Sequence, residues 1–107
     1  MLIMTNTTLP TDTQVLNSLK SVIDPELMVN IVDLGLVYNI NIDEQTKHIL
    51  VEMTLTSTGC PLGDVIKQHA TEVLLAQYSG LTNDIILVWN PAWNPSFISE
   101  EGKQQLE

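Results

Sequence analysis

The hydrophobic positions change period several times along the chain, and each change marks an element. Thr11-Asp12-Thr13-Gln14 has the form of a capping box, and Val15, Leu16, Leu19, Val22 and Ile23 follow at the spacing of one helical face. Asp24-Pro25-Glu26 stops that helix, because proline lacks an amide donor and disfavours helical geometry in the residue before it. From Leu36 to Ile42 the period falls to two, with Leu36, Tyr38, Ile40 and Ile42 on one side of a strand. Asp43-Glu44-Gln45-Thr46 reads as a turn. A second strand then puts Ile49, Val51, Met53 and Leu55 on one face and His48, Leu50, Glu52, Thr54 and Thr56 on the other, which predicts an antiparallel hairpin.

Beyond Ser57-Thr58-Gly59-Cys60 the helical period returns from Pro61, a residue tolerated at the first helical position, and runs to Tyr78-Ser79-Gly80. Ile85 to Trp89 predicts a third strand. Ser99 is placed to cap a short terminal helix with Glu100 and Glu101 in its first turn. The order helix, strand, strand, helix, strand, short helix predicts an α+β two-layer sandwich: a mixed sheet with both long helices on one face. Residues 1–11 read as a flexible N-terminal segment, since Thr5 to Thr11 is rich in threonine, and residues 12–107 as a single domain. A length of 107 residues leaves no room for a second domain.

Charge narrows the function. Thirteen acidic residues against four lysines give a formal net charge of −9, which opposes binding to phosphate backbones and anionic lipid. No apolar stretch approaches the roughly 20 residues of a membrane helix. A lone cysteine forms no internal disulfide, and together these features predict a cytoplasmic protein with neither nucleic-acid nor membrane partners.

That cysteine, Cys60, is the main chemical candidate. It falls at the expected start of the second helix, where unpaired backbone N–H groups and the positive end of the helix dipole favour a thiolate. Asp64, one turn on, opposes that effect, and cysteine is also a common core residue. Both readings stay open on local chemistry. Thr54 and Thr56 point to one sheet face, from which they can hydrogen-bond a thiolate or sulfide, and threonine is also an ordinary strand residue. Asp24 and Glu26 suit either paired carboxylates or a plain turn. His69 lies nine residues past Cys60, about 13 Å along a helix, which argues against a local Cys-His dyad. His48 has no second ligand at metal spacing. In the Trp/Pro-rich tail, Trp89 suits core cover, and Trp93 a partner or dimer contact.

Five segments in order carry a family resemblance: Asp24-Pro25-Glu26, Asn30 to Tyr38, Met53-Thr54-Leu55-Thr56, Gly59-Cys60-Pro61-Leu62-Gly63, and Trp89 to Pro95. From about Val15 to Leu106 the chain resembles the iron-sulfur cluster assembly domain of the PaaD and SufT type. Ser57-Thr58 stands where similar sequences often carry Thr-Pro, and Ala92 where a second proline is common. The cysteine-rich C-terminal segment of PaaD itself is absent, which puts the SufT-like branch ahead. The resemblance implies an accessory factor, not an enzyme, that assembles iron-sulfur clusters or transfers them to client apoproteins. It places the metal-binding cysteine at Cys60, with Asp24, Glu26, Thr54 and Thr56 as supporting neighbours. The cargo it implies is an iron-sulfur cluster or iron, held transiently. Such clusters are usually held by four thiolates, so a chain with one implies a homodimer or ligands from the assembly machinery and its clients.

Three rivals remain. A thiol-dependent enzyme would use Cys60 as nucleophile and need a base. A KH-like domain would share the α+β order, although Gly59 to Gly63 is not the Gly-x-x-Gly clamp. In an inert interaction module Cys60 is packing alone.

Overall fold

The computed structural model describes residues 9–57 and 62–106. Helix α1 (Asp12–Leu19) is followed by the hairpin strands β1 (Val37–Asp43) and β2 (His48–Met53), then by α2 (Gly63–Gln77), β3 (Thr82–Leu87), a 3-10 turn (Pro95–Phe97) and α3 (Glu100–Leu106). The capping box forms as its residues dictate. The Gln14 amide donates to Thr11 Oγ1 at 3.1 Å and the Thr11 amide to Gln14 Oε1 at 2.9 Å.

Helix α1 ends at Leu19, earlier than the apolar spacing predicts. The amides of Lys20, Ser21 and Val22 take tightened bonds to carbonyls three residues back, and Ser21 Oγ donates to the Ser18 carbonyl at 2.8 Å. Val22 remains in the core, whereas Ile23 is 40% exposed and bridges to Asn30 in an isolated antiparallel pair.

The sheet order is β1-β2-β3, antiparallel between β1 and β2 and parallel between β2 and β3, so the central strand is the one with the cleanest alternation. Its Ile49, Val51 and Met53 are buried. They meet Val15 and Leu19 of α1 and Ile66, Ala70 and Leu74 of α2 in one core. Helix α1 packs on β1 and on α2, and α2 packs on β3, which puts both long helices on the sheet face expected from sequence.

The strands also differ from the sequence expectation. In β1 a bulge between Val37 and Asn39 shifts the register, so Val37, Ile40 and Ile42 pack toward the core while Tyr38 turns its hydroxyl to the Pro91 carbonyl at 2.8 Å. β2 stops at Met53 rather than Thr56. β3 is Thr82–Leu87 rather than Ile85–Trp89, because an edge strand tolerates the polar Thr82, Asn83 and Asp84 that its hydropathy conceals.

The C-terminal tail is stitched to the loop before β1. Asp33 accepts from Asn30 Nδ2 at 2.8 Å and from Ser99 Oγ at 3.0 Å, and its carbonyl takes the Ser99 amide at 2.8 Å. Gly35, at φ 78°, lies so close to Phe97 that an added Cβ would collide with the Phe97 carbonyl oxygen. Trp93 completes the stitching by donating its indole N–H to the Leu34 carbonyl at 2.7 Å.

Candidate functional site

The expected site lies where β2 hands over to α2. Cys60, with Thr58, Gly59 and Pro61, falls outside the described residues. Its two flanks are well defined. On the strand side, the Thr54 amide donates to the Leu36 carbonyl at 2.8 Å, Leu55 is buried, Thr56 is half-buried and Ser57 is exposed. On the helix side, α2 begins at Gly63 rather than Pro61, and its N-cap residue Leu62 supplies no side-chain cap. The two flanks touch: a Cβ on Gly63 would lie 2.7 Å from Leu55 Cδ1. Glycine is what allows the start of the helix to seat on the end of the strand.

Thr54 is fully buried, and its Oγ1 has no hydrogen-bond partner among the described residues. A buried hydroxyl without a partner costs about 1 to 3 kcal/mol, so Thr54 is an uncommon choice at a site that valine would fill. Thr56 differs in exposure, and the clean alternation expected to pair the two threonines on one face ends with β2 at Met53.

Asp24 is buried, at 3% exposure. One carboxylate oxygen accepts the Glu26 amide at 2.8 Å and the Leu27 amide at 3.1 Å, while its own amide reaches the Val29 carbonyl and its carbonyl takes the Met28 amide. This is a side-chain-built turn. The turn forces Met28 to a φ of 60° and leaves Met28 70% and Leu27 36% exposed. Glu26 is exposed beside them. Among the described residues no hydrogen bond joins Asp24 or Glu26 to Thr54 or Thr56. A backbone route does connect the two regions, from Val22 to Ile31, Ile31 to Leu36 and Leu36 to Thr54.

The two tryptophans sit differently. Trp89, read as core cover, is 41% exposed because β3 ends two residues before it. Trp93, expected as a partner or dimer contact, is half-buried against the core with its N–H bonded to Leu34. The Asn30, Asp33 and Ser99 network was missed as a functional unit of the fold, although the i, i+3 spacing of Asn30 and Asp33 was a readable turn signal.

His48 lies at the far end of β2. Its Nδ1 is 2.6 Å from Thr82 Oγ1 and its Nε2 3.4 Å from Asp84 Oδ2, a cross-strand contact. His69 is exposed on α2. Across the turn from His48, Asp43 is held below the ordinary carboxylate range, chiefly by the Thr46 backbone N–H and then by that of Gln45. Among the described residues no group of three or more His, Cys, Asp or Glu is arranged to hold a metal ion. With one cysteine in the chain, a single copy does not supply the thiolates of a conventional cluster.

These features define a small α+β domain whose only cysteine falls between β2 and α2 in the sequence. Residues 12–86 match the family model described as iron-sulfur cluster assembly protein, and the chain belongs to that family. It is 40% identical over 86% of its length to the Fe-S protein maturation auxiliary factor YitW of Bacillus subtilis, covering 89% of that protein. It is 42% identical over 79% of its length to the Fe-S protein maturation auxiliary factor SufT of Staphylococcus aureus, covering 96% of it. The fold matches the crystal structure of a domain of unknown function, DUF59, from Bacillus anthracis, with a TM-score of 0.83 and 37% identity over 88% of this chain and 89% of that one. Among the described residues no helix is long and apolar enough to cross a membrane.

Proposed function

We propose that this protein is an auxiliary factor in the maturation of iron-sulfur proteins, and that the Cys60 thiol is its working group. The observation that carries the reading is the match to two maturation auxiliary factors over most of the length of both partners in each comparison. Cargo is an iron-sulfur cluster or iron, held transiently, because one soft sulfur ligand per chain suits transfer better than storage. The remaining ligands come from a second copy, from the assembly machinery or from the client apoprotein. Asp24, Glu26, Thr54 and Thr56 support the thiol, Asp24 and Thr54 by shaping the turn and the strand end, Glu26 and Thr56 by offering oxygen near the surface. The role is non-enzymatic and cytoplasmic.

The test is complementation. In cells lacking the protein, the wild-type chain restores the activity of iron-sulfur enzymes such as aconitase and Cys60→Ser does not, while circular dichroism shows the variant folded. Full restoration by Cys60→Ser overturns the thiol mechanism. Anaerobic incubation of both proteins with iron and sulfide, read by absorption, separates carriage of a cluster from carriage of iron.

A further inference from the structure

Both long helices pack on the side of the sheet where Ile49, Val51 and Met53 enter the core, so the alternate residues of each strand point away from them. Leu50 and Glu52 of β2 and Asp84 and Ile86 of β3 lie on that second face, with Asp43 and His48 at its hairpin end. Among the described residues no helix covers it. Leu50 is half-buried without joining the core, and Ile86 is 44% exposed.

The strand register sets carboxylates around this apolar pair. Leu50 lies opposite Asp84, Glu52 opposite Ile86, and Asp43 opposite His48. With strands about 4.8 Å apart and alternate residues about 6.7 Å apart, the backbones of Asp84, Glu52 and Asp43 all fall within about 9 Å of that of Leu50. The Asp84 side chain is 70% exposed and open to a further donor, although His48 Nε2 touches it at 3.4 Å. Among the described residues His48 is the one group of this face able to carry positive charge. Lys20, Lys67 and Lys103 belong to the helices and their caps, and Lys47 to the hairpin turn.

This pattern selects its occupant. Nucleic acid or anionic lipid would meet three carboxylates, and a second copy would set the same carboxylates against its own. Arginine and lysine fit both halves of the pattern, because their aliphatic stems cover apolar surface while the cationic head reaches a carboxylate. We infer that the bare sheet face is a docking surface for a partner protein's basic segment, whose arginine or lysine stems lie over Leu50 and Ile86 and whose heads pair with Glu52 and Asp84. The identity of that partner as a client apoprotein or a member of the assembly machinery rests on the maturation reading; the complementarity of the face does not.

NMR of the full isotope-labelled chain tests the surface, with a short synthetic peptide carrying arginine at alternate positions as the probe. Amide shifts are expected to concentrate in His48 to Glu52 and Thr82 to Ile86, and the affinity to fall as salt rises. Glu52→Gln and Asp84→Asn each remove a charge at constant shape and weaken binding about two- to fivefold, the range of an exposed ion pair. Glu72→Gln removes the same charge from the exposed side of α2 and leaves the affinity unchanged. If one face variant melts early, the other carries the comparison. Absent shifts, shifts spread over the helices, or a loss in Glu72→Gln equal to that in Asp84→Asn overturns the surface. In cells, Glu52→Gln combined with Asp84→Asn is expected to lower restored aconitase activity; full restoration by that folded double variant overturns docking as a step in maturation. Cys60→Ser binds the peptide as wild type does, so failure of the thiol mechanism and failure of the docking surface are read separately.

Discussion

Gly63 begins α2 in direct contact with Leu55, so close that a Cβ there would lie 2.7 Å from Leu55 Cδ1. The contact joins the two described flanks of Cys60 and makes the strand end and the helix start one unit. Alanine at position 63, the first residue of the helix, gains less than the roughly 1 kcal/mol of an interior site and costs about 1 to 3 kcal/mol in overpacking. Gly63→Ala is expected to lose about 1 kcal/mol net, a drop in melting temperature of about 4 to 8 °C for a domain of this size. Leu55→Ala opens the space the new methyl needs. A double-mutant cycle should therefore show coupling of at least about 1 kcal/mol, and additive effects would mean the two residues do not constrain each other.

Trp93 and Trp89 are expected to separate in stability. Trp93→Phe keeps most of the apolar contact but removes the N–H that the Leu34 carbonyl accepts, at an expected cost of about 1 to 2 kcal/mol. Trp89→Phe, at an exposed position, should change stability by less than about 0.5 kcal/mol. Urea titrations measure both, and a larger loss at Trp89 would reverse the assignment.

These two tryptophans also show where sequence reading stops. Periodicity located both long helices, the hairpin and the central strand, because Val15, Leu19, Ile49, Val51 and Met53 each serve one core and repeat at its period. It misplaced β3, where an edge strand needs only Ile85 fully inside and so has little pattern to read. The tail was illegible for a different reason. Trp93, Phe97 and Ser99 are fixed by bonds and close contacts to Leu34, Gly35 and Asp33, more than sixty residues away in some cases, and no local period encodes such contacts. The Asp24 turn was legible as one of two options, and the burial and bonding of its carboxylate show the turn formed.

Asp43 gives a pH prediction. The Thr46 and Gln45 amides bind its charged form and hold its carboxyl below the ordinary carboxylate range. The native state therefore takes up this proton less readily than the unfolded chain. The resulting stabilisation is present above the unfolded pKa of about 3.9 and is lost as pH falls through the lower native value. A carbon-detected NMR titration should place the Asp43 midpoint below that of an ordinary aspartate. Asp43→Asn keeps the turn acceptor without the titration, and its stability should fall less steeply than that of wild type below about pH 4. Parallel curves would show that the turn does not favour the carboxylate.

Asp24 offers the clearest separation of turn from chemistry. Its Oδ1 accepts two backbone amides, and an asparagine side-chain oxygen accepts the same pair. Asp24→Asn is expected to stay within about 0.5 kcal/mol of wild type, whereas Asp24→Ala, which leaves both amides without that acceptor, should lose about 1 to 2 kcal/mol in urea titration. The same variants test function through aconitase activity in complemented cells. If the residue serves by shaping the turn, Asp24→Asn restores activity as wild type does, and Asp24→Ala restores less, in proportion to the folded protein it leaves. A stable Asp24→Asn that fails to restore activity would assign the negative charge itself to the cargo, because asparagine keeps the shape and the hydrogen bonds and removes only the charge.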